Sequence, residues 1–318
     1  MNVISLFAGC GGGDLGTRGG FTFLNKHYPK TGLNVVWANE LDAYAAETYR
    51  ANIGDHVVVG DIREIESEEI PEHDILIGGF PCQSFSIVGQ RGGLDDPRGM
   101  LYLEMLRVLE EKKPKAFIGE NVKGILSIDG GKTIDKIKAD FEKAGYKIEV
   151  QLLNAADFGV PQKRERVFIV GIRDDLQIGE FAFPKPTTPK RDVPLNSVLH
   201  EPNQIPEKYF FSQRAVDGLH RANRAFNKGR AQNVDGPCNT ISTHLAKVSL
   251  NGTDPVLLEQ GKYRRFTPRE AAGIQSFPRS FKLVGSDTRQ YIQIGNAIPP
   301  VLMWHVANAV KLALDSKQ

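Results

Sequence analysis

Two side chains capable of nucleophilic or acid–base work, and two arginines that could assist them, stand where short apolar runs meet irregular chain. Cys82 lies in Gly78-Gly79-Phe80-Pro81-Cys82-Gln83-Ser84-Phe85-Ser86, directly after the run His73–Ile77. A thiol at the end of a buried strand, on a loop opened by glycine and proline, is placed to attack as a thiolate. The same residue turned inward would be a small core hydrophobe, and this segment alone leaves both readings open. Glu120 follows the run Ala116–Gly119, where a carboxyl can serve as a general acid or simply as a surface charge. Arg164 and Arg166 are two apart, so on a strand they share a face. They could polarise a bound group or belong to a charged strand entry.

A second constellation sits nearer the N-terminus. Phe7-Ala8-Gly9-Cys10-Gly11-Gly12-Gly13 follows the run Val3–Phe7. Glycines there permit a tight turn and close approach of a ligand to the backbone. Glu40 ends a second run and can accept hydrogen bonds from ribose hydroxyls. Asp61 and Ile62 follow a third; the carboxylate suits an adenine amino group, and Ile62 with Phe7 suits its ring faces. The glycines do not follow the GxGxxG spacing that seats a pyrophosphate on a helix N-terminus. A nucleoside without phosphates, such as S-adenosylmethionine, is favoured. A dinucleotide-dependent oxidoreductase shares the glycine and acid signature but leaves Cys82, Glu120 and the arginine pair without a task.

These residues need elements to hold them. Val3–Phe7, Asn34–Ala38, His56–Val59, Asp74–Ile77, Ala116–Gly119, Ile148–Leu153 and Arg166–Ile172 read as strands. Ala43–Asn52, Gly99–Lys113, Thr133–Ala144 and Pro300–Leu314 read as helices. The alternation predicts an α/β fold with a doubly wound, mostly parallel sheet. It stops at Phe183-Pro184-Lys185-Pro186-Thr187-Thr188-Pro189, a proline-rich hinge. Residues 187–285 then read as a smaller, irregular domain, and residues 1–186 with 286–318 as the larger one.

The chain has 318 residues and a net charge of +2. Thr187–Gly285 holds 15 Lys/Arg against 8 Asp/Glu, which is +7, so the remainder is −5. A basic module on a mildly acidic one suits a polyanion partner. The three cysteines, Cys10, Cys82 and Cys238, form no CxxC pair, so neither a disulfide framework nor a metal site is expected. The start of the chain lacks a secretory pattern. No apolar run is expected to reach the roughly 18 residues of a membrane span.

In this order the segments resemble those of the bacterial DNA (cytosine-5) methyltransferases of restriction–modification systems. The matching segments are Phe7–Gly12, Asn39-Glu40, Gly60-Asp61-Ile62, Gly79–Gln83 with Phe85-Ser86, and Asp96–Gly99. They continue with Glu120-Asn121-Val122, Pro161–Arg166, Thr267–Ala272 with Gln275–Pro278, and Gly295–Pro300. The resemblance implies a Rossmann-like fold that binds S-adenosylmethionine through Phe7, Gly9, Gly11, Gly12, Glu40, Asp61, Ile62, Phe80, Leu101 and Asn296. It implies double-stranded DNA as substrate, with the target cytosine flipped out of the helix. Cys82 would add to C6, Glu120 would supply a proton at N3, Arg166 would hold O2 and orient Glu120, and Arg164 would help shape that site. Ser86, Gln90, Arg230, Thr240 and Arg265 would contact DNA, with 187–285 as the target-recognition region and Ser86–Asp96 as a lid. Arg221, Arg224, Lys228 and Arg230 form one basic cluster there, and Arg264, Arg265 and Arg269 a second. Some relatives carry a polar residue in the lid to fill the vacated space; Ile87-Val88 stands there here. A monomeric cytoplasmic enzyme with a restriction endonuclease as its functional counterpart is expected. Two alternatives remain: a non-catalytic DNA-binding protein that kept the fold, against which the intact Cys82, Glu120, Arg164 and Arg166 argue, and a relative acting on tRNA cytosine.

Overall fold

The computed structural model describes residues 1–80, 101–221, 231–246 and 254–316. Cys82, Ser86, Gln90, the lid segment and Arg230 lie outside the described residues. Seven strands form the main sheet: β1 (Asn2–Leu6), β2 (Asn34–Glu40), β3 (Val57–Val59), β4 (Ile75–Gly78), β5 (Ala116–Val122), β6 (Tyr146–Asn154) and β7 (Glu165–Arg173). Their order is β3-β2-β1-β4-β5-β7-β6. The first five run parallel, and β7 is antiparallel to both β5 and β6. The segment between β6 and β7, residues 155–164, is too short for the crossover that a parallel return requires. The chain therefore turns back, and β7 inserts between its two neighbours.

Alternation along the strands sends successive side chains to opposite faces. Val3, Ile75, Ile77, Ile118, Phe168 and Val170 share one core with α8 (Pro300–Asp315). Ile4, Leu6, Leu76, Phe117, Val167 and Ile169 share the other with α3 (Leu101–Lys112) and α4 (Lys132–Lys143). Two further helices follow β1 and β2: α1 (Gly12–Arg18) and α2 (Ala43–Asn52). The short α1 is not foreseen from its glycine-rich sequence.

Two boundaries differ from expectation in ways that matter. Phe7 leaves β1, because its φ of 56° places it in the left-handed region. Glu120 lies within β5 rather than after it, since pairing with β7 (Glu120 opposite Phe168, Val122 opposite Arg166) extends the strand.

Residues 187–285 contain several 3₁₀ turns, α5 (Gln213–Arg221), a hairpin of Leu257–Glu259 with Lys262–Arg264, and α6 (Pro268–Ile274). Thr267 caps α6 in a capping box with Glu270. The apolar residues of this segment, Leu195, Cys238, Ile241, Phe266 and Phe277 among them, share a core with Cys10 and with Tyr291 and Ile294 of α7 (Asp287–Asn296). The α7–α8 stretch is long and apolar enough to cross a membrane by length and composition. It breaks between Asn296 and Pro300, and α8 buries Val301, Leu302, Val306 and Val310 in the sheet core.

Candidate active site and cofactor cleft

The carboxyl ends of β1 to β5 open on one edge of the sheet, where ligands of doubly wound folds bind. Because β7 runs the other way, its beginning reaches the same edge and brings Arg164 and Arg166 with it. A cleft of about 960 Å³ lies there. Phe7, Gly9, Gly12, Glu40, Asp61, Ile62, Phe80, Leu101 and Asn296 line it, together with Glu120, Arg164 and Arg166. Gly11 does not. It takes φ +90° as N-cap of α1, and a Cβ there would meet Ile53 Cγ1 at 2.7 Å, so its task is the turn.

At the cofactor end, Glu40 latches the glycine loop. Its Oε2 accepts from the Gly9 amide at 2.6 Å and its Oε1 from the Asp42 amide at 2.9 Å. Burial pushes its carboxyl above the usual range. Asp61 caps the turn Ile62–Glu64 and is held by Arg63 at 2.9 Å through Nε, which keeps its carboxyl below the usual range. Asn39 donates to the Gly60 carbonyl at 2.9 Å and fixes the approach to Asp61.

Beneath this loop is a buried network that the sequence does not advertise. Asp14 Oδ2 accepts from Ser5 Oγ at 3.0 Å, and its Oδ1 accepts from the Tyr49 hydroxyl at 2.9 Å. Tyr49 in turn lies 3.0 Å from His56 Nε2. Asp14 is 1% exposed, and burial raises its carboxyl to about 6. The available signals are weak ones: a serine inside an apolar strand and an acid among glycines.

At the catalytic end, Arg166 Nε pairs with Glu120 Oε1 at 2.9 Å, with both side chains largely buried. Burial raises the Glu120 carboxyl, while Arg166 first and Arg164 second oppose that rise. A Cβ on Gly79 would stand 3.1 Å from Glu120 Oε2, so glycine leaves the acid its room. Asn121 donates to the Phe80 carbonyl at 2.9 Å and fixes the chain just before Pro81-Cys82.

Arg164 and Arg166 diverge rather than share a task. Arg164 lies just before β7 and is 2% exposed. It donates to Ile241 O at 3.1 Å, Gly295 O at 2.8 Å and Ala297 O at 3.3 Å. The two described cysteines, Cys10 and Cys238, are buried and poorly suited to attack as thiolates. Burial pushes Cys10 up to about 12 and Cys238 higher still.

The second basic cluster is tied into the fold. Arg264 is fully buried between Glu259 and Glu270 at 2.7 and 2.8 Å. Arg265 donates to Ala246 O and Lys208 O, both at 2.9 Å. Arg269 donates to Phe281 O at 2.6 Å. These guanidinium groups are held by the fold. Thr240 is exposed, and its hydroxyl donates to Lys163 O at 2.8 Å.

This geometry defines a nucleoside cleft joined to a buried acid–guanidinium pair, and comparison with known proteins gives its class. A family model described as C-5 cytosine-specific DNA methylase matches residues 1–312. The chain is 38% identical over 325 residues to the type II methyltransferase M.NlaX of Neisseria lactamica, covering 99% of this chain and 98% of that one. It is 34% identical over 328 residues to the type II methyltransferase M.HhaI of Haemophilus parahaemolyticus, covering 100% and 96%. The fold is shared with the Entamoeba histolytica methyltransferase EhMeth, at a TM-score of 0.76 and 20% identity over 100% of this chain and 99% of that one. The chain belongs to the C-5 cytosine-specific DNA methylase family. It is a DNA (cytosine-5-)-methyltransferase of the type II modification class. Family membership implies S-adenosylmethionine as methyl donor.

Proposed function

We propose that the chain methylates C5 of a flipped cytosine in duplex DNA through a covalent bond between Cys82 and C6. It would thereby protect DNA in the bacterial cytoplasm from a cognate restriction endonuclease. The observation that carries this reading is the buried Arg166–Glu120 pair in the cleft that also holds Glu40 and the glycine loop. The residues fit the cofactor. Apolar Phe7, Ile62, Phe80 and Leu101 can flank a purine and thioether chain, and Glu40, Asp61 and Asn296 offer polar ends. When bound, S-adenosylmethionine supplies an electrophilic methyl group.

Cytosine C5 is a weak nucleophile until a thiolate adds at C6 and makes the ring enamine-like. Addition drives electron density toward N3, where a proton or a strong hydrogen bond is needed. Glu120, with its carboxyl raised by burial, holds a proton more readily than a surface acid does. Arg166 fixes the orientation of that acid and can reach the base. Arg164 and Arg166 against one carboxylate leave the pocket with an excess positive charge, which favours a base gaining electron density. The recognition segment 187–285 would read the site, with Thr240 among its exposed contacts.

A duplex with 5-fluorocytosine at the target tests this. Methyl transfer can proceed, but elimination needs loss of a C5 proton, and fluorine does not leave as a cation. A protein–DNA adduct stable to denaturing gels is expected, with mass spectrometry placing it on Cys82. An adduct on Cys10 or Cys238, or turnover by Cys82→Ala, overturns the mechanism.

A further inference from the structure

The peptide of Ile241 is gripped on both sides. Its N–H donates to Gln162 Oε1 at 2.9 Å, and its carbonyl accepts from Arg164 Nη1 at 3.1 Å. The same two side chains reach the end of α7. Arg164 Nη2 donates to Gly295 O at 2.8 Å and Ala297 O at 3.3 Å. Gln162 Nε2 donates to Gln275 Oε1 at 2.6 Å, and Gln275 Nε2 donates to Ile294 O at 2.8 Å and Ala297 O at 3.0 Å. The last carbonyls of a helix have no partner within it, and here side chains from outside the helix satisfy them. Gln162, Gln275 and Ile241 are 0%, 0% and 1% exposed, so none of these bonds has water as a ready substitute.

What the clamp joins gives it meaning. Thr240, next to Ile241, is exposed on the recognition segment. Asn296, between Gly295 and Ala297, is exposed in the cofactor cleft. The two backbones are in close contact, because a Cβ on Gly295 would stand 2.5 Å from Thr243 N. Among the described residues Arg164 makes no direct ion pair, and its guanidinium donates to backbone carbonyls from two separate parts of the chain.

We infer that Arg164, with Gln162 and Gln275, is a positioning residue that couples the cofactor cleft to the DNA-recognition segment. Binding at either site makes binding at the other tighter. A ligand that orders the Asn296 turn also orders Ile241 through the shared clamp, so the second ligand meets a segment already in place. Reciprocity follows from thermodynamic linkage. The inference rests on the function proposed above, in which both ligands bind this chain.

The test is calorimetry with S-adenosylhomocysteine on the full chain, with and without a saturating duplex carrying the site mapped by bisulfite sequencing. The ratio of the two affinities is the readout. A purely structural role would shift both affinities together and leave their ratio alone. The wild type is expected to show a ratio of about 5-fold or more. Arg164→Lys keeps the charge but loses the fork and should bring the ratio close to one. Gln275→Met removes the second arm without touching the guanidinium and serves where the lysine variant does not fold. Tyr146→Phe, which loses a buried hydrogen bond to Pro114 O away from the clamp and the cleft, should keep the ratio. A wild-type ratio of one in an enzyme that still methylates DNA overturns the coupling and leaves the function standing. A ratio unchanged in the folded clamp variants overturns the assignment to these residues. A wild type that binds neither ligand removes the functional reading itself.

Discussion

The cleft and the basic segment 187–285 use the same residue types in opposite ways. In the cleft, Arg166 makes one ion pair with Glu120 and still lines open space. In the basic segment, Arg264 spends its guanidinium on two carboxylates, Arg265 on two carbonyls and Arg269 on one. Part of the segment's +7 charge is therefore scaffold. Charge clustering along a chain marks where cations are placed, and burial decides whether they face a ligand or hold the fold. Four further cations of the segment, Arg224, Lys228, Arg230 and Lys247, lie outside the described residues.

The largest expected effects separate the two uses. Glu120→Gln should lower kcat by about 10²–10⁴-fold, because an amide holds the same space without the proton. The wild-type rate should fall as pH rises through the raised Glu120 pKa, and the glutamine variant should lose that limb. A pH–rate profile unchanged by the substitution would take Glu120 out of the proton transfer. Stability should fall as well, because Arg166 keeps a largely buried charge without its partner. Arg264→Met should spare kcat in the molecules that stay folded and act on stability alone. It leaves Glu259 and Glu270 facing each other without a cation, and such breakage of a buried pair costs about 3–5 kcal/mol. Urea unfolding reads that loss, and a variant as stable as the wild type would show that the acids simply take up protons.

The cleft was the more legible region for a physical reason. Its lining residues sit at strand ends, at Glu40, Gly60-Asp61 and Gly79-Phe80, or near one, as Glu120 does in β5, and strand ends can be read from apolar runs bounded by polar and glycine residues. The α/β alternation and the mostly parallel sheet follow from the same pattern. What escaped reading depends on contacts far apart in sequence. Nothing near Arg164 says that it will meet Ile241 and Gly295, residues 77 and 131 positions away. Nothing near Arg264 distinguishes it from Arg265, yet one is enclosed by acids and the other only half-buried. Asp14 escaped because its partners, Ser5 and Tyr49, come from a different strand and a different helix.

Asp14 is the cleft's counterpart to Arg264: a buried charge held by hydroxyl groups instead of opposite charges. Its carboxyl, raised from 3.8 to about 6, binds a proton more tightly in the fold than in the unfolded chain. Its contribution to stability is thus fully present below pH 4 and is lost as pH rises through 6. The Tyr49 and Ser5 hydroxyls, and more weakly Arg18, act against this shift. Relative to Asp14→Asn, the wild type should lose about 1.4 kcal/mol per pH unit between pH 4 and 6 and change little above. Denaturant midpoints of the two proteins across that window give the slope. Parallel curves would mean that Asp14 stays ionised and that its two hydroxyl donors outweigh burial.

The smallest effect bears most directly on the boundary between scaffold and contact. Arg265 is half-buried, donates to two carbonyls and lies 5.7 Å from the Tyr209 ring centre. If these contacts define its task, Arg265→Ala should cost about 1–2 kcal/mol of stability, the scale of a lost charged hydrogen bond partly replaced by water. DNA affinity should then keep its dependence on salt, since a phosphate contact would be worth nearly one unit of the slope of log K against log salt. Lys262→Ala is the companion measurement, because that side chain is exposed on the neighbouring hairpin and lies over the Phe210 ring. A slope that falls with Arg265→Ala and holds with Lys262→Ala would return Arg265 to the DNA-contacting set. It would also mean that the guanidinium leaves both carbonyls when the duplex binds.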